Sequence, residues 1–487
     1  MNLPDWKTCG IFGAIFLILF FIIKKVFFSG EGDLKRQVNR LILDGIRYDK
    51  NKEYQTAIYF FKKAVSISKD PEVLKDAYFA IAGCYLSLKK YEESISFCNK
   101  SLEINLEDNL IALNMKYQCN AFLGRSKEYL QDLILFNSIR PNNINEKKIR
   151  ELTESVCEKQ TSQYCNENII SPSYIRYSEF FDTMIGILPI EEDDEIVYLI
   201  KHKKYEKLDE MFFRGDQSIL KSIEQPKTKQ SSKLFSHNLI NACLYYLKGN
   251  YEKAIEILRS SPSEFDLLFV EFLKSTTKNH KQNNGIMQDI NILQSTNPSI
   301  IFYISKIYYM TGDYDKYLEY ILKLLDYPFA YADLLSFFEE KCDDTKFTDF
   351  AKEGILKYSS DNKILYICAT YFLVNDKHEL LNEVLSLMGE NDCRKHFIKG
   401  LIHTNNDDLS AQHFMKAKEL DPTYHNAYIF LANILMYKNE VECKEILSES
   451  LKIASCHDEA FVSIKLLLRI ENQNYVRTIL TSKSNKM

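Results

Sequence analysis

Backbone breakers are scarce in this sequence, with 15 glycines and 10 prolines among 487 residues. Turn-rich β folds need such residues at most reversals, so their scarcity argues against a sandwich or barrel. A strong charge of either sign is missing too. The 62 basic and 67 acidic residues leave −5, so a broad nucleic-acid-binding surface is not implied. No C-x-x-C pair occurs among the 12 cysteines. Most of them, Cys84, Cys98, Cys119, Cys243, Cys368 and Cys443 included, fall within apolar helical stretches, the pattern of reduced, buried thiols and not of a disulfide framework or zinc site. Gly-rich phosphate loops, H-E-x-x-H, G-x-S-x-G and EF-hand loops are absent as well. His378, His396, His403, His413 and His425 lie near one another in sequence, and His396 and His403 could share a helix face. No acidic or cysteine partner stands at metal-ligand spacing from them. The expectation is a non-enzyme without catalytic residues, metal or cofactor.

What is abundant is aromatic and helical. Tyr and Phe number 31 each, and with so few breakers they suit long packed helices, an all-α fold. Near the N-terminus, Thr8–Ile23 (TCGIFGAIFLILFFII) runs sixteen residues without a charge. At helical rise this spans about 24 Å, slightly short of a hydrocarbon core, and flanking lysines or a thin membrane close the gap. Charges are heavier after the run (Lys24, Lys25, Lys35, Arg36) than before it (Lys7 against Asp5). No small-x-small cleavage site follows it. These features favour a retained single-pass anchor, a helix over about 8–28 that leaves the bulk of the chain in the cytosol, over a cleaved signal peptide.

Helix pairs follow at a repeat spacing. In Leu41–Val65 (LILDGIRYDKNKEYQTAIYFFKKAV), small residues Gly45, Ala57 and Ala64 allow close helix approach while Tyr48, Tyr54 and Phe61 fill the space. This is the pattern of the tetratricopeptide repeat (TPR), a hairpin of ~34 residues that buries its core by stacking. Asp76–Ile104 and Asn109–Phe136 repeat it, with the equivalent positions Ala57, Ser94 and Tyr129 spaced 37 and 35 apart. Periodicity fades after Ser138–Lys148, through the acidic run 191–195 and the polar stretch 225–233. Pairs resume at Leu239–Leu258 and Ile300–Leu322 with a shared G-[ND]-Y turn. They end in three pairs whose equivalent residues Ala411, Lys444 and Thr478 are spaced 33 and 34 apart. The expected organisation is an anchor (1–30), three N-terminal TPR units (31–150), an irregular connection (151–235) and a C-terminal TPR-like array (236–487).

Anchor, three repeats, a break and a second array together resemble the seventy-kilodalton preprotein receptor of the outer mitochondrial membrane translocase. The stretches HFMKAKELDPTYHNAYIFLANILMYKNEVECKEILSESL and SPSYIRYSEFF are also similar to that family's text. The resemblance implies a receptor on the outer membrane of a mitochondrion or related organelle, with precursor proteins and other translocase subunits as partners and no nucleic acid. It also implies that the first three repeats hold the acidic tails of cytosolic heat-shock chaperones. In that family a carboxylate clamp does so with Lys and Asn in the first repeat, Asn in the second, and Lys and Arg in the third, donors that replace water around carboxylates. The matching residues here are Ile42 and Ile46, Ala80, then Ile111 and Met115, and none is a donor. Arg47 and Lys116 sit one residue from two of these positions, turned about 100° around the helix. They are expected to be solvated, with residual basic contact to the groove as the alternative. Tail docking by the usual clamp is therefore not expected. The apolar groove could instead pack against its own chain, bind an apolar peptide or be a relic.

Precursor capture by the C-terminal array depends on shape and apolar surface. Residues 1–160 carry 24 basic and 20 acidic side chains, a net +4, which leaves −9 on residues 161–487. A mildly acidic face attracts basic targeting segments. No precursor-binding residue is legible. Rival readings are a membrane-tethered TPR scaffold for organelle shape or trafficking, and a lumenal or periplasmic TPR co-chaperone.

Overall fold

The computed structural model describes residues 33–168, 237–247, 251–259, 264–276 and 298–484, with positions 180, 199, 204 and 207. The apolar run Thr8–Ile23, the acidic run 191–195 and the polar stretch 225–233 lie outside them. Among the described residues the regular structure is helical, without strands.

The chain divides into two units, one of residues 1–159 with 468–487 and one of residues 160–467. In the first unit, α1 (Asp33–Lys50) pairs with α2 (Tyr54–Ile67), α3 (Pro71–Ser87) with α4 (Tyr91–Ile104), and α5 (Leu110–Phe122) with α6 (Ser126–Ile139). The α7 helix (Asn143–Glu167) then runs for 25 residues. Its sequence of Glu, Lys, Gln and Arg continues the helix past 151, into the stretch read as irregular.

The second unit contains α8 (His237–Leu247), α9 (Tyr251–Arg259), α10 (Glu264–Thr276), α11 (Pro298–Thr311) and α12 (Tyr314–Ile321). It continues through α13 (Pro328–Glu340), α14 (Asp344–Lys357), α15 (Asn362–Val374), α16 (His378–Leu387), α17 (Cys393–Ile402), α18 (Asp407–Leu420), α19 (His425–Leu435) and α20 (Glu440–Ile453). The last helix, α21 (His457–Ser484), starts in this unit and ends in the first. The sequence between Ala460 and Leu480 reads as a helix pair, yet α21 is one helix of 28 residues. No residue of RIENQNYV takes the positive φ at which the other hairpins reverse.

One turn recurs. In α1–α2 the residue Lys52 takes φ 62°, its N–H reaches Asp49 O at 2.9 Å, and the next N–H, from Glu53, reaches Tyr48 O at 2.9 Å. This double bond satisfies the helix's terminal carbonyls and reverses the chain. The same pair of bonds closes the turns at Lys89, Gly124, Gly312, Cys342 and Asp376, all at positive φ. The turn is thus set by backbone bonding, and glycine occupies it only at Gly124 and Gly312 among these. Below it, Gly45 lies against Phe61, where a Cβ would stand 2.7 Å from the ring. Helix starts are capped from sequence: Asp70 accepts from Glu72 N with Pro71 behind it, and Asp361, Asp392, Asn406 and Asn439 do the same for their own helices.

Each unit has its own core. Val38, Ile42, Ile46, Ala57, Phe61 and Ile81 form one cluster of the first unit, and Phe79, Leu102, Leu113, Met115, Cys119 and Leu135 another. In the second unit a continuous apolar cluster runs from Leu199 to Ile398. All six cysteines read from the sequence as structural are buried thiols outside any disulfide. Burial pushes up the thiol pKa of Cys368 to about 12, so this sulfur stays protonated and unreactive.

Candidate functional site

The positions that would read a carboxylate do not line an open charged groove. Ile42 and Ile46 are 4% and 5% exposed and belong to the core of the first hairpin. Ala80 is partly buried beside that core. Met115 is 5% exposed among Phe79, Leu113 and Leu135, and Ile111 alone, at 41%, faces water. Of the open alternatives, packing against the chain itself is what the structure shows for Ile42, Ile46 and Met115. A lysine at Ile42 would need a desolvated ammonium in an apolar cluster, a cost that such a helix face does not compensate.

Arg47 is exposed, as the sequence suggests. Lys116 is not. Its ammonium donates to Asp132 Oδ1 at 2.9 Å, with side-chain exposures of 16% and 1%. The expectation of a solvated lysine is corrected here, because α6 brings a buried carboxylate under α5. Asp132 takes two further donors: Asn120 Nδ2 on Oδ2 at 2.9 Å and the Tyr475 hydroxyl on Oδ1 at 2.6 Å. Lys116 also lies 3.3 Å from the Tyr475 oxygen. A buried carboxylate is tolerated only when its lone pairs are filled in this way. Burial, and then the Asp132 charge, push the Tyr475 phenol well above its ordinary range, so the hydroxyl keeps its proton and donates.

Tyr475 belongs to the last part of α21, 343 residues beyond Asp132. Val476 and Ile479 of the same helix pack against the cluster of Phe79, Met115 and Leu135. At the rim, Lys127 pairs with Glu471 at 2.6 Å with both side chains well exposed, an interaction of little energetic weight. Asp132, Asn120 and Tyr475 escape a search for clamp donors, because that search reads fixed positions of one repeat. The signal was a carboxylate inside the apolar run LQDLILF.

In the second unit the histidines come closer than sequence spacing alone implies. The His413 ring stands 5.8 Å from His396 and 5.6 Å from His403, centre to centre. Burial, then His396, His403 and Lys399, lowers the pKa of His413. Among the described residues no group of three His, Cys, Asp or Glu is arranged to hold a metal ion. His425 is buried and bonds Ser463 Oγ at 2.8 Å, which bonds Ser450 Oγ at 2.9 Å. Burial lowers the His425 pKa, so that neutral ring serves as a core hydrogen-bonding group. No helix among the described residues is long and apolar enough to cross a membrane.

Residues 75–108 match the family model Tetratricopeptide repeat. Protein unc-45 homolog B of Homo sapiens is 24% identical over 132 residues, 27% of this chain. The chain spans 14% of the length of that relative, and the Mus musculus protein matches over the same shares. The crystal structure of yeast Tom70 is similar with a TM-score of 0.45 and 16% identity, over 93% of this chain and 96% of that one. The anaphase-promoting-complex hetero-tetramer Cut9-Hcn1 gives a TM-score of 0.31 and 13% identity, covering 95% of each. The match at 75–108 shows a tetratricopeptide repeat in that segment, and the double-bonded hairpin turn found there recurs in both units.

Proposed function

We infer that this chain binds other proteins through its stacked hairpins and performs no chemistry on them. More specifically, it is a receptor tethered by the N-terminal apolar run to the outer membrane of a mitochondrion or related organelle, facing the cytosol. There it captures precursor proteins with its C-terminal array and passes them to other translocase subunits. The domain division read from the sequence, three repeats at 31–150 and an array at 236–487, belongs to this reading. Support for the receptor comes from the order of anchor, repeats, break and array, and from the net −9 on residues 161–487, which suits basic targeting segments.

The observation that carries the partner choice is the filled clamp. Ile42, Ile46 and Met115 are core residues, and Lys116 is neutralised by Asp132. Chaperone tails are accordingly left out of the partner set. A pull-down with the soluble chain, residues 31–487, tests the rest. Retention of hydrophobic carrier-type precursors supports the receptor. Retention of folded complexes in their place supports the rival reading, a membrane-tethered scaffold for organelle shape or trafficking.

A further inference from the structure

The three N-terminal hairpins can be superposed in sequence through their turn bonds, in which Tyr48 O, Tyr85 O and Asn120 O are the equivalent acceptors. Twelve residues after each stand Phe60, Phe97 and Asp132. In the first two repeats this pair is a stacked aromatic couple, Tyr48 on Phe60 at 5.2 Å and Tyr85 on Phe97 at 5.6 Å. In the third repeat both members have become polar, and Asn120 and Asp132 bond each other at 2.9 Å. A single polar replacement would be an unsatisfied defect, whereas a paired replacement with Lys116 added one turn earlier is a built acceptor. Its one remaining donor is Tyr475.

We propose that the third repeat carries a docking socket for an amphipathic helix, and that the chain's own C-terminal segment, residues 468–484, is its resting occupant. The socket reads a hydroxyl donor at one position and aliphatic side chains one and four residues on, as Tyr475, Val476 and Ile479 present them. Recognition is reversed in sign from a carboxylate clamp, since the protein supplies the acceptor and the ligand supplies the donor. Leu468, Ile470 and Asn472 of the same segment are buried too, while the rim pair Lys127–Glu471 is solvent-screened. A competing helix that presents a hydroxyl and two aliphatic side chains at the same spacing would meet the same acceptor and the same apolar surface. This inference goes beyond the receptor reading and stands or falls without it.

Hydrogen exchange on the full chain tests it, comparing wild type with Tyr475→Phe and Ile479→Asp. Amides of α5 and α6 are expected to exchange roughly tenfold faster in Ile479→Asp, with a smaller increase in Tyr475→Phe, while α13–α16 stay unchanged. A labelled peptide of residues 466–484, added in trans, is expected to bind the Ile479→Asp chain and be excluded from wild type. The same peptide carrying Tyr475→Phe should bind roughly tenfold more weakly, the loss of one hydrogen bond to a charged acceptor. Unchanged exchange in α5 and α6, or a peptide that binds both chains equally or neither, overturns the socket. Protection that rises with protein concentration places a second copy's helix there and overturns the assignment to the chain's own segment.

Discussion

In the first two hairpins small residues allow close contact, Gly45 against the Phe61 ring and Ser94 Oγ on Ala82 O, and an aromatic pair stacks beside them. The third hairpin keeps the same turn, with Arg125 N bonding Asn120 O at 2.9 Å, but exchanges the contents. At the crossing Tyr117 stacks on Tyr129, ring centres 5.6 Å apart. The aromatic pair has become Asn120 and Asp132. The frame of a repeat and its readout are therefore separable. Backbone bonding in the turn holds the frame, and what fills the equivalent positions depends on what each repeat packs against. The first two lie against another hairpin, while the third meets Tyr475 of a helix from the far end of the chain.

That contrast can be broken, most severely at Asp132. Asp132→Ala leaves Lys116 partly buried without its carboxylate and should cost about 3 kcal/mol or more of unfolding free energy, read from denaturant melts. Gly45→Ala attacks the frame and leaves the readout alone. Its Cβ would stand 2.7 Å from the Phe61 ring, and overpacking of this kind costs about 1–3 kcal/mol against the roughly 1 kcal/mol that Ala gains in a helix. Tyr475→Phe removes one donor from a carboxylate that keeps two others. A loss of about 1.5 kcal/mol is expected, confined to the first unit in exchange measurements. The mildest change runs the other way. Lys89 sits at φ 57°, where a Cβ costs about 1–2 kcal/mol. Lys89→Gly should stabilise by about half a kcal/mol once the added freedom of the unfolded chain is subtracted. A loss in that variant would mean that the Lys89 side chain contributes more to the turn than its backbone strain removes.

Much of the fold was legible because small residues and aromatics recur at repeat spacing. Gly45, Ala57, Phe61 and Ala64 announce the first hairpin, and the residues from Ala57 to Tyr129 align at 37 and 35. Hairpins late in the chain, α17–α18 and α19–α20, follow the same reading. What misled was spacing without a turn. Thr478 falls 34 residues after Lys444, as a further repeat would, but no residue between Ala460 and Leu480 takes the positive φ of the other turns, and the helix runs on. Lys116 misled for a related reason. Its position on α5 gives its direction, yet the partner that buries it comes from α6 and its neighbour from α21. Comparing Tyr48, Tyr85 and Asn120 with Phe60, Phe97 and Asp132 at the same two spacings would have exposed the polar pair. It could not have named Tyr475, whose contact depends on three-dimensional closure.

Titration calorimetry of the soluble chain, residues 31–487, with a peptide ending in the acidic motif of the cytosolic heat-shock chaperones tests the central claim most directly. With Ile42, Ile46 and Met115 in the core and Lys116 held by Asp132, the expected result is no measurable binding heat up to about millimolar peptide. Micromolar binding, lost on removing the peptide's terminal carboxylates, would contradict the account.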